Sequence, residues 1–325
     1  MTLAIVILNW NGKKLLEQFL PSVVRYSPEG QLYIVDNAST DDSLDFVRTH
    51  FPEVQIVENP TNSGYAGGYN RALQHIKADV YCLLNSDVLV TEDWLSPILR
   101  TFEEEHIAVV QPKIKDEKRR TYFEYAGAAG GFIDRYGFPY CRGRVFETIE
   151  EDKGQYNEPS PVPIFWASGA CFFIRAEVFH QLGGFDEDFF AHQEEIDLCW
   201  RVHHLGKQVV YCAESTVYHV GGATLTAANP KKTYLNFRNS LFMLLKNLPA
   251  KGLYTTIFLR MVLDGIAGVR FLLQGKPRFT WEVIRAHFHF YKRFFFFKKK
   301  RPSKLITNYY QVKSIVWEHF VLGKK

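Results

Sequence analysis

A chain of 325 residues, 46% hydrophobic and 23% charged, has the composition of a globular protein with a substantial core, which excludes a mainly disordered one. Its five cysteines (Cys82, Cys141, Cys171, Cys199 and Cys212) are odd in number, scattered and without a CxxC pair, so buried free thiols in a reducing compartment are expected. The net charge of +4 hides a division: residues 1–230 carry 32 acidic against 19 basic side chains, and residues 231–325 carry 3 against 20.

No basic segment leading into an apolar one opens the chain, so a signal peptide is not expected. Leu3–Leu8 is a continuous apolar run and predicts a strand buried on both faces. Gly12–Arg25 reads as a helix with Leu15, Leu16, Phe19 and Leu20 on its apolar side. Gln31–Val35 is the next strand and ends at Asp36, after which Thr40 or Asp41 caps a helix through His50. A short strand at Val54–Val57 precedes a helix over Gly64–Lys77. Val80–Leu84 is a strand running into Asn85-Ser86-Asp87; Thr91 then caps a helix to about Glu105, and Ile107–Val110 is again strand. Lys113–Pro163 is polar and poorly periodic, and predicts a hairpin with a variable loop suited to acceptor recognition. Beyond it, Phe165–Ile174 is read as strand, His192–His204 as helix, Gln208–Cys212 as strand and Val217–Val220 as a short extended piece.

Strands separated by single helices predict right-handed βαβ units and a Rossmann-like, mostly parallel sheet with flanking helices. Ligands of such sheets bind at the carboxyl ends of strands, where Asp36, Asn59–Gly64 and Asn85–Asp87 all fall. The change to a basic, aromatic composition near residue 231 divides the chain into a catalytic domain (1–230) and a C-terminal helical extension (231–325).

Four stretches carry chemistry. Asp36 at a strand end can accept hydrogen bonds from a ribose or base edge, although the following Ser39–Asp42 also reads as a turn and helix cap. Asn62–Arg71 opens a helix with Gly64, Gly67 and Gly68, which suits either phosphate contact or close helix–sheet packing. Leu83–Asp87 delivers a carboxylate to the solvent end of an apolar strand, the arrangement a hard divalent cation uses when water and substrate phosphates complete its shell. Gly183–Phe190 leads into Glu194–Arg201. There Asp197 and Arg201 are accounted for as an i, i+4 surface ion pair, whereas Glu194 and Glu195 have no structural need and fit a general base. His219, before Gly221-Gly222, is read with Asp87 as a metal ligand or phosphate contact.

In this order VILNWNG (Val6–Gly12), VDNASTDDS (Val35–Ser43), NPTNSGYAGGYNR (Asn59–Arg71), LLNSDV (Leu83–Val88), SGACFFIR (Ser168–Arg175), GGFDEDFF (Gly183–Phe190), EEIDLCWR (Glu194–Arg201) and YHVGGAT (Tyr218–Thr224) resemble the family 2 glycosyltransferases of GT-A fold, in particular their bacterial rhamnosyltransferase-like branch. The resemblance covers about residues 1–240. It implies inverting transfer of a hexose, with rhamnose suggested by the branch, from a nucleotide-diphosphate sugar to a hydroxyl of a lipid-linked or polysaccharide glycan. Donor contacts would come from Asn9, Asp36, Asn62, Gly64, Gly67, Asn85 and Ser86. A Mg²⁺ or Mn²⁺ ion would be held by Asp87 and His219, with Asn85 standing where the family motif has its first acid. Glu195 would be the base, where the family usually has the Asp of a Glu-Asp pair, with Glu194 its alternate. A non-catalytic nucleotide-sugar-binding relative and a nucleotidyltransferase are the competing readings.

Leu253–Leu273 is apolar but interrupted by Arg260, Asp264 and Arg270, a poor membrane span, and Arg260 and Asp264 are spaced to pair. Trp281–Arg301 mixes aromatic and basic residues and ends in Lys298-Lys299-Lys300-Arg301. That mixture predicts an anionic membrane surface as partner, on the cytoplasmic inner face of the plasma membrane, in preference to nucleic acid. An ordinary helical cap with a solvated basic end is the competing reading. Oligomeric state is left open.

Overall fold

The computed structural model describes residues 1–159, 161–221 and 229–323. Its centre is a nine-stranded sheet in the order β11-β13-β6-β12-β4-β1-β2-β3, with β5 added alongside β13. These strands are β1 (Leu3–Asn9), β2 (Gln31–Asp36), β3 (Gln55–Glu58), β4 (Val80–Asn85), β5 (Val88–Val90), β6 (Ile107–Asp116), β11 (Val162–Ile164), β12 (Cys171–Arg175) and β13 (Gln208–His219). The run β4-β1-β2-β3 is parallel, and β12 is antiparallel to both of its neighbours, β4 and β6. A second, four-stranded sheet is built from β7 (Gly131–Ile133), β8 (Pro139–Cys141), β9 (Arg144–Val145) and β10 (Thr148–Ile149).

The alternation of a pleated strand explains the layering. Leu3, Ile5 and Ile7 of β1 face one core with Val80, Cys82 and Leu84 of β4, covered by α1 (Lys13–Tyr26), α2 (Ser43–His50) and α4 (Ser96–Thr101). Ala4 and Val6 face the other with Tyr81 and Leu83, beneath α3 (Gly64–Ala72), α5 (Ala176–Gln181), α6 (Glu194–His204) and α7 (Pro230–Asn247). With both sheet faces covered, β1 carries no polar residue before Asn9, as its unbroken apolar run predicts. All five cysteines are buried, and none of them forms a disulfide among the described residues.

Beyond α7 lie α8 (Leu253–Leu273), α9 (Pro277–Lys299) and α10 (Ile315–Phe320). Leu241–Leu245 of α7 and Phe290 and Phe297 of α9 are buried in the same core as α6, so the compositional change near residue 231 falls at a helix packed into the body. Phe242 and Phe297 stack at 3.7 Å between ring centroids. Among the described residues no helix is long and apolar enough to cross a membrane.

Several local expectations need correction. The Gly64 helix ends at Ala72, and the strand expected from Phe165 begins only at Cys171. Gln208–Cys212 and Val217–Val220 belong to one long strand, β13. Thr91 caps no helix: its hydroxyl donates to the Thr216 carbonyl at 2.8 Å, and α4 starts at Ser96. The residues just before Thr91 instead form β5, whose pairing with β13 sets His219 opposite Val88.

Candidate active site

The parallel register aligns the polar ends of three strands. Asn9 lies opposite Asp36, and Leu8 opposite Asn85. Beyond these ends the chain turns sharply through left-handed Asn11 (φ 51°) and Ala38 (φ 60°). The side chain of Asn9, fully buried, donates to Asp36 Oδ1 at 3.2 Å, Ser39 Oγ at 3.2 Å and Ser43 Oγ at 2.9 Å. Asp36 Oδ2 accepts from the Ser39 amide at 2.9 Å, and Asn9 Oδ1 is buried without a hydrogen-bond partner among the described residues. Gly12 is required here, since a Cβ on it would meet that oxygen at 2.4 Å; Ser86 Oγ lies 3.9 Å from the same point.

The glycine-rich loop docks across this end. Asn37 donates to Asn62 Oδ1 at 2.9 Å and to the Gly64 carbonyl at 3.0 Å, while the Gly64 amide donates to Asn62 Oδ1 at 3.0 Å. Gly64 has φ +74° and lies under Phe190, whose carbonyl would be 2.6 Å from a Cβ there. Gly67 adjoins Ser63 and Gly68 adjoins Leu8 of β1. Close packing of loop, helix and sheet therefore accounts for these glycines structurally. Asn62 ties the loop to the end of β2.

Asp87 sits in the tight turn between β4 and β5, and the β5–β13 pairing brings it to His219, Oδ1 to Nε2 at 3.1 Å. Asn85 Nδ2 lies 3.5 Å from the same ring nitrogen. On the other side of the ring, Glu124 Oε1 is 3.4 Å from Nδ1, an ion-pair separation without hydrogen-bond alignment. Asp87, Glu124 and His219 are all buried. Burial alone would lower the basicity of His219, but Glu124 and Asp87 overcome it and push its pKa up to about 10.

No group of three or more His, Cys, Asp or Glu side chains among the described residues gathers as a metal site. Once the proton that His219 holds toward Asp87 is displaced, the donor set fits a cation that keeps most of its shell for water and phosphate: one carboxylate, one imidazole nitrogen and a neighbouring amide. A carboxylate behind a ligating imidazole is a recurrent device for orienting the ring toward a metal. Glu124 was not legible in the sequence because it lies in the aperiodic stretch before β7. Gly222, Ala223 and Thr224 lie outside the described residues.

The carboxylates of α6 stand at the start of that helix, after a strained approach. Phe190, His192 and Gln193 have φ of 66°, 69° and 74°, each costing about 1–3 kcal/mol for a residue other than glycine. Helix α7 holds the turn in place. Asn239, fully buried, donates to the carbonyls of Phe189, Ala191 and His192 at 3.0, 2.9 and 2.7 Å. Arg238 donates to the carbonyls of Asp188 and Phe189 at 3.0 and 3.1 Å.

Glu194 is buried and Glu195 half-buried, and each has an Oε2 without a hydrogen-bond partner among the described residues. Burial raises Glu194 well above the carboxylate range, with Glu195 adding to the rise. Burial likewise raises Glu195, to about 7. His192 is held neutral, its pKa near 4, by burial and by the charge of Lys232.

The two halves of the site meet at the start of β12. The Asn85 amide donates to the Ala170 carbonyl at 2.9 Å, and the Tyr65 hydroxyl to the Gly169 carbonyl at 2.8 Å. A Cβ on Gly169 would lie 4.0 Å from Glu195 Cγ. Asp87 and the Glu194–Glu195 pair therefore approach the same strand end, and Tyr65, to which the motif reading gave no role, stands beside the glutamates there. Asp197, by contrast, faces inward. Its pair with Arg201 at 2.9 Å is buried, not on the surface, and is joined by Lys246 at 2.9 Å and Asn247 at 2.8 Å.

Residues 4–183 match the family described as Glycosyl transferase family 2. The chain belongs to glycosyl transferase family 2. It is a glycosyltransferase of GT-A fold. Among its relatives, the low-salt glycan biosynthesis hexosyltransferase Agl10 of Haloferax volcanii is 22% identical over 297 residues, covering 88% of this chain and 90% of its own length. The N-acetylglucosaminyl-diphospho-decaprenol L-rhamnosyltransferase of Mycobacterium tuberculosis is 25% identical over 256 residues, covering 72% and 83%. The fold matches the crystal structure of GalNAc-T7 with UDP, GalNAc and Mn²⁺ at a TM-score of 0.58 and 18% identity, over 77% of this chain and 48% of that one. The glycosyltransferase thus spans about half of the GalNAc-T7 chain but nearly the full length of the Haloferax volcanii hexosyltransferase.

Proposed function

We propose that this glycosyltransferase inverts configuration as it moves a hexose from a nucleotide-diphosphate sugar to a hydroxyl of a lipid-linked or polysaccharide glycan. The observation that carries this reading is the convergence of Asp87–His219 and Glu194–Glu195 on one strand end, joined through Gly169 and Ala170. Relatives named for a hexosyltransferase and for a rhamnosyltransferase acting on a diphospho-decaprenol support the substrate classes.

Asn9 and Asp36 are assigned to the nucleotide end, with Asn85 and Ser86 on the diphosphate side. Asn62, Gly64 and Gly67 shape the loop beneath the sugar. Asp87 and His219 are assigned to Mg²⁺ or Mn²⁺, and the GalNAc-T7 complex with Mn²⁺ supports a divalent ion. Bound there, such an ion supplies positive charge beside the leaving diphosphate.

Glu195 is assigned as the base, and Glu194 as its more deeply buried neighbour. Two adjacent carboxyl groups in unequal surroundings separate into a proton donor and a proton acceptor. Burial and the adjacent Glu195 raise Glu194 well above the carboxylate range, whereas Glu195, half-buried and against Gly169 at the strand end, is raised to about 7. A base with a pKa close to the working pH combines adequate strength with adequate ionisation. Glu195 would accept the acceptor hydroxyl's proton as its oxygen attacks the anomeric carbon opposite the leaving group. The acceptor is assigned to an anionic membrane surface on the cytoplasmic side.

A panel of nucleotide sugars, with Mg²⁺ or Mn²⁺ and with or without glycan acceptors, tests the reading by nucleotide release. One donor should be consumed only with the cation, and faster with acceptor. Wild-type turnover in Asp87→Ala or Glu195→Gln would remove that residue from the mechanism, and donor binding without any turnover would favour a binding protein.

A further inference from the structure

Helix α8 is built inside out. Its buried side carries the Arg260–Asp264 pair at 2.8 Å, and Arg260 also donates to the carbonyls of Tyr136 and Gly137. Its outer side is apolar: Phe258, Val262, Ile266, Val269 and Leu273 recur every three or four residues and are exposed, Phe258 at 65% and Leu273 at 84%. At about 100° per residue these positions lie opposite Arg260 and Asp264. A helix surrounded by water on that side has the opposite pattern.

Helix α9 repeats the arrangement with larger side chains. Trp281, Ile284, Phe288, Tyr291 and Phe295 form one exposed stripe, opposite the buried Ala286, Phe290 and Phe297. The helices run antiparallel and in contact: Tyr254 faces Phe294, the Tyr291 hydroxyl reaches Met261 Sδ at 3.5 Å, and Phe271 faces Phe279. The two stripes therefore make one outward apolar face, larger than scattered surface residues explain.

Charge decides what covers it. Lys292, Lys298 and Lys299 are exposed, fall within about 60° of the α9 stripe, and form no ion pair among the described residues. The only acids on the two helices are Asp264, buried, and Glu282, paired with Arg285. A second copy would set one basic rim against another, whereas an apolar sheet with an anionic border matches the face. Neither helix is long and apolar enough to span a bilayer, so a bilayer would meet both along their length.

We propose that the α8–α9 hairpin is the bilayer-docking surface, with its aromatic and aliphatic stripes at the headgroup–acyl boundary and its lysines on anionic headgroups. This rests on the membrane-surface part of the reading above and names the face that performs it, but needs nothing from the transfer chemistry. Truncation is a poor test, because Phe290 and Phe297 of α9 fill the core. Point substitutions on the exposed stripe leave that core intact.

The test is flotation of the full chain with vesicles of phosphatidylcholine alone or mixed with phosphatidylglycerol. Wild type should float with the mixed vesicles. Phe258→Ser/Phe288→Ser/Phe295→Ser should lower binding at least roughly tenfold with an unchanged circular dichroism spectrum. Lys292→Gln/Lys298→Gln/Lys299→Gln should lower it about 10²-fold on anionic vesicles and little on neutral ones. Wild type left unbound by both vesicles, or an aromatic triple variant that floats like wild type, overturns the proposal. A dimer seen by sedimentation equilibrium and dissolved by the aromatic substitutions also overturns it, in favour of a second copy. Glu195→Gln should float like wild type, so a failure of the catalytic assignment leaves the docking result standing, and the converse holds.

Discussion

Lys246 of α7 places its ammonium 2.9 Å from Asp197 and 2.7 Å from Asp186, tying the basic extension to the helix that begins with Glu194 and Glu195. Lys300 joins the network at 2.6 Å from Asp186 and 2.7 Å from Asp188, and Arg293 pairs with Asp188 at 2.7 Å. Part of the charge division between the two ends of the chain is therefore satisfied within the molecule.

Removing one partner from a buried pair leaves the other charge stranded, at a cost of about 3–5 kcal/mol. Lys246→Ala is expected to destabilise by that order in urea titration, and Lys300→Ala by much less, because Lys300 is itself 31% exposed and Asp186 keeps Lys246 as a partner. The pH dependence follows from Asp197, held at about 2 by Lys246 and Arg201 against the effect of burial. A depressed carboxylate stabilises the fold above its unfolded pKa near 4. That contribution should fade only as pH falls from about 4 toward 2, and Asp197→Asn should lose it at neutral pH.

If Glu195 is the base, kcat/KM should fall with unit slope below an apparent pKa near 7, because protonation removes the acceptor of the proton. Glu195→Gln should cost about 10²–10⁴-fold. Glu194→Gln should cost far less, since burial and Glu195 both favour the protonated form of Glu194, which an amide mimics. Equal losses in both variants would count against the division of roles.

Asn239 touches no expected substrate, yet it satisfies three carbonyls of the strained turn before Glu194. Asn239→Ala should lower kcat by about 10–10²-fold through misplacement of the base, with little change in donor KM. A matched loss in KM would indicate general loosening of the fold.

Glu124 backs the imidazole of His219 on the side away from Asp87. Glu124→Gln should weaken Mn²⁺ affinity by about 10–100-fold, measured by direct Mn²⁺ titration. Undiminished affinity would separate Glu124 from the cation.

Gly64 combines φ +74° with the Phe190 carbonyl, which would lie 2.6 Å from a Cβ there. Gly64→Ala should destabilise by more than about 1 kcal/mol and shift Phe190, whereas Gly183→Ala, equally left-handed but with nothing nearby, should show only the backbone cost.

By itself the sequence determined the alternation of strands and helices in the first hundred residues, because buried strands and amphipathic helices write their periods into neighbouring positions. It also determined that Asp36, Asn62, Asp87 and the Glu194–Glu195 pair fall at element ends, since a carboxylate or amide closing an apolar run is a local signal. The pairing of His219 with Asp87 was legible through the family resemblance, but tertiary structure alone showed how it is made and supplied the other partners. The strand that joins the two, β5, has three residues, too few for any period to announce. Glu124 reaches His219 from an aperiodic stretch, and Asn239 reaches the turn before Glu194 across nearly fifty positions. The inside-out character of α8 was hidden for the same reason: an Arg–Asp pair reads as solvent-facing until its surroundings show it enclosed and its apolar side bare. Periodicity reports which residues share a face, but only packing reports what that face meets.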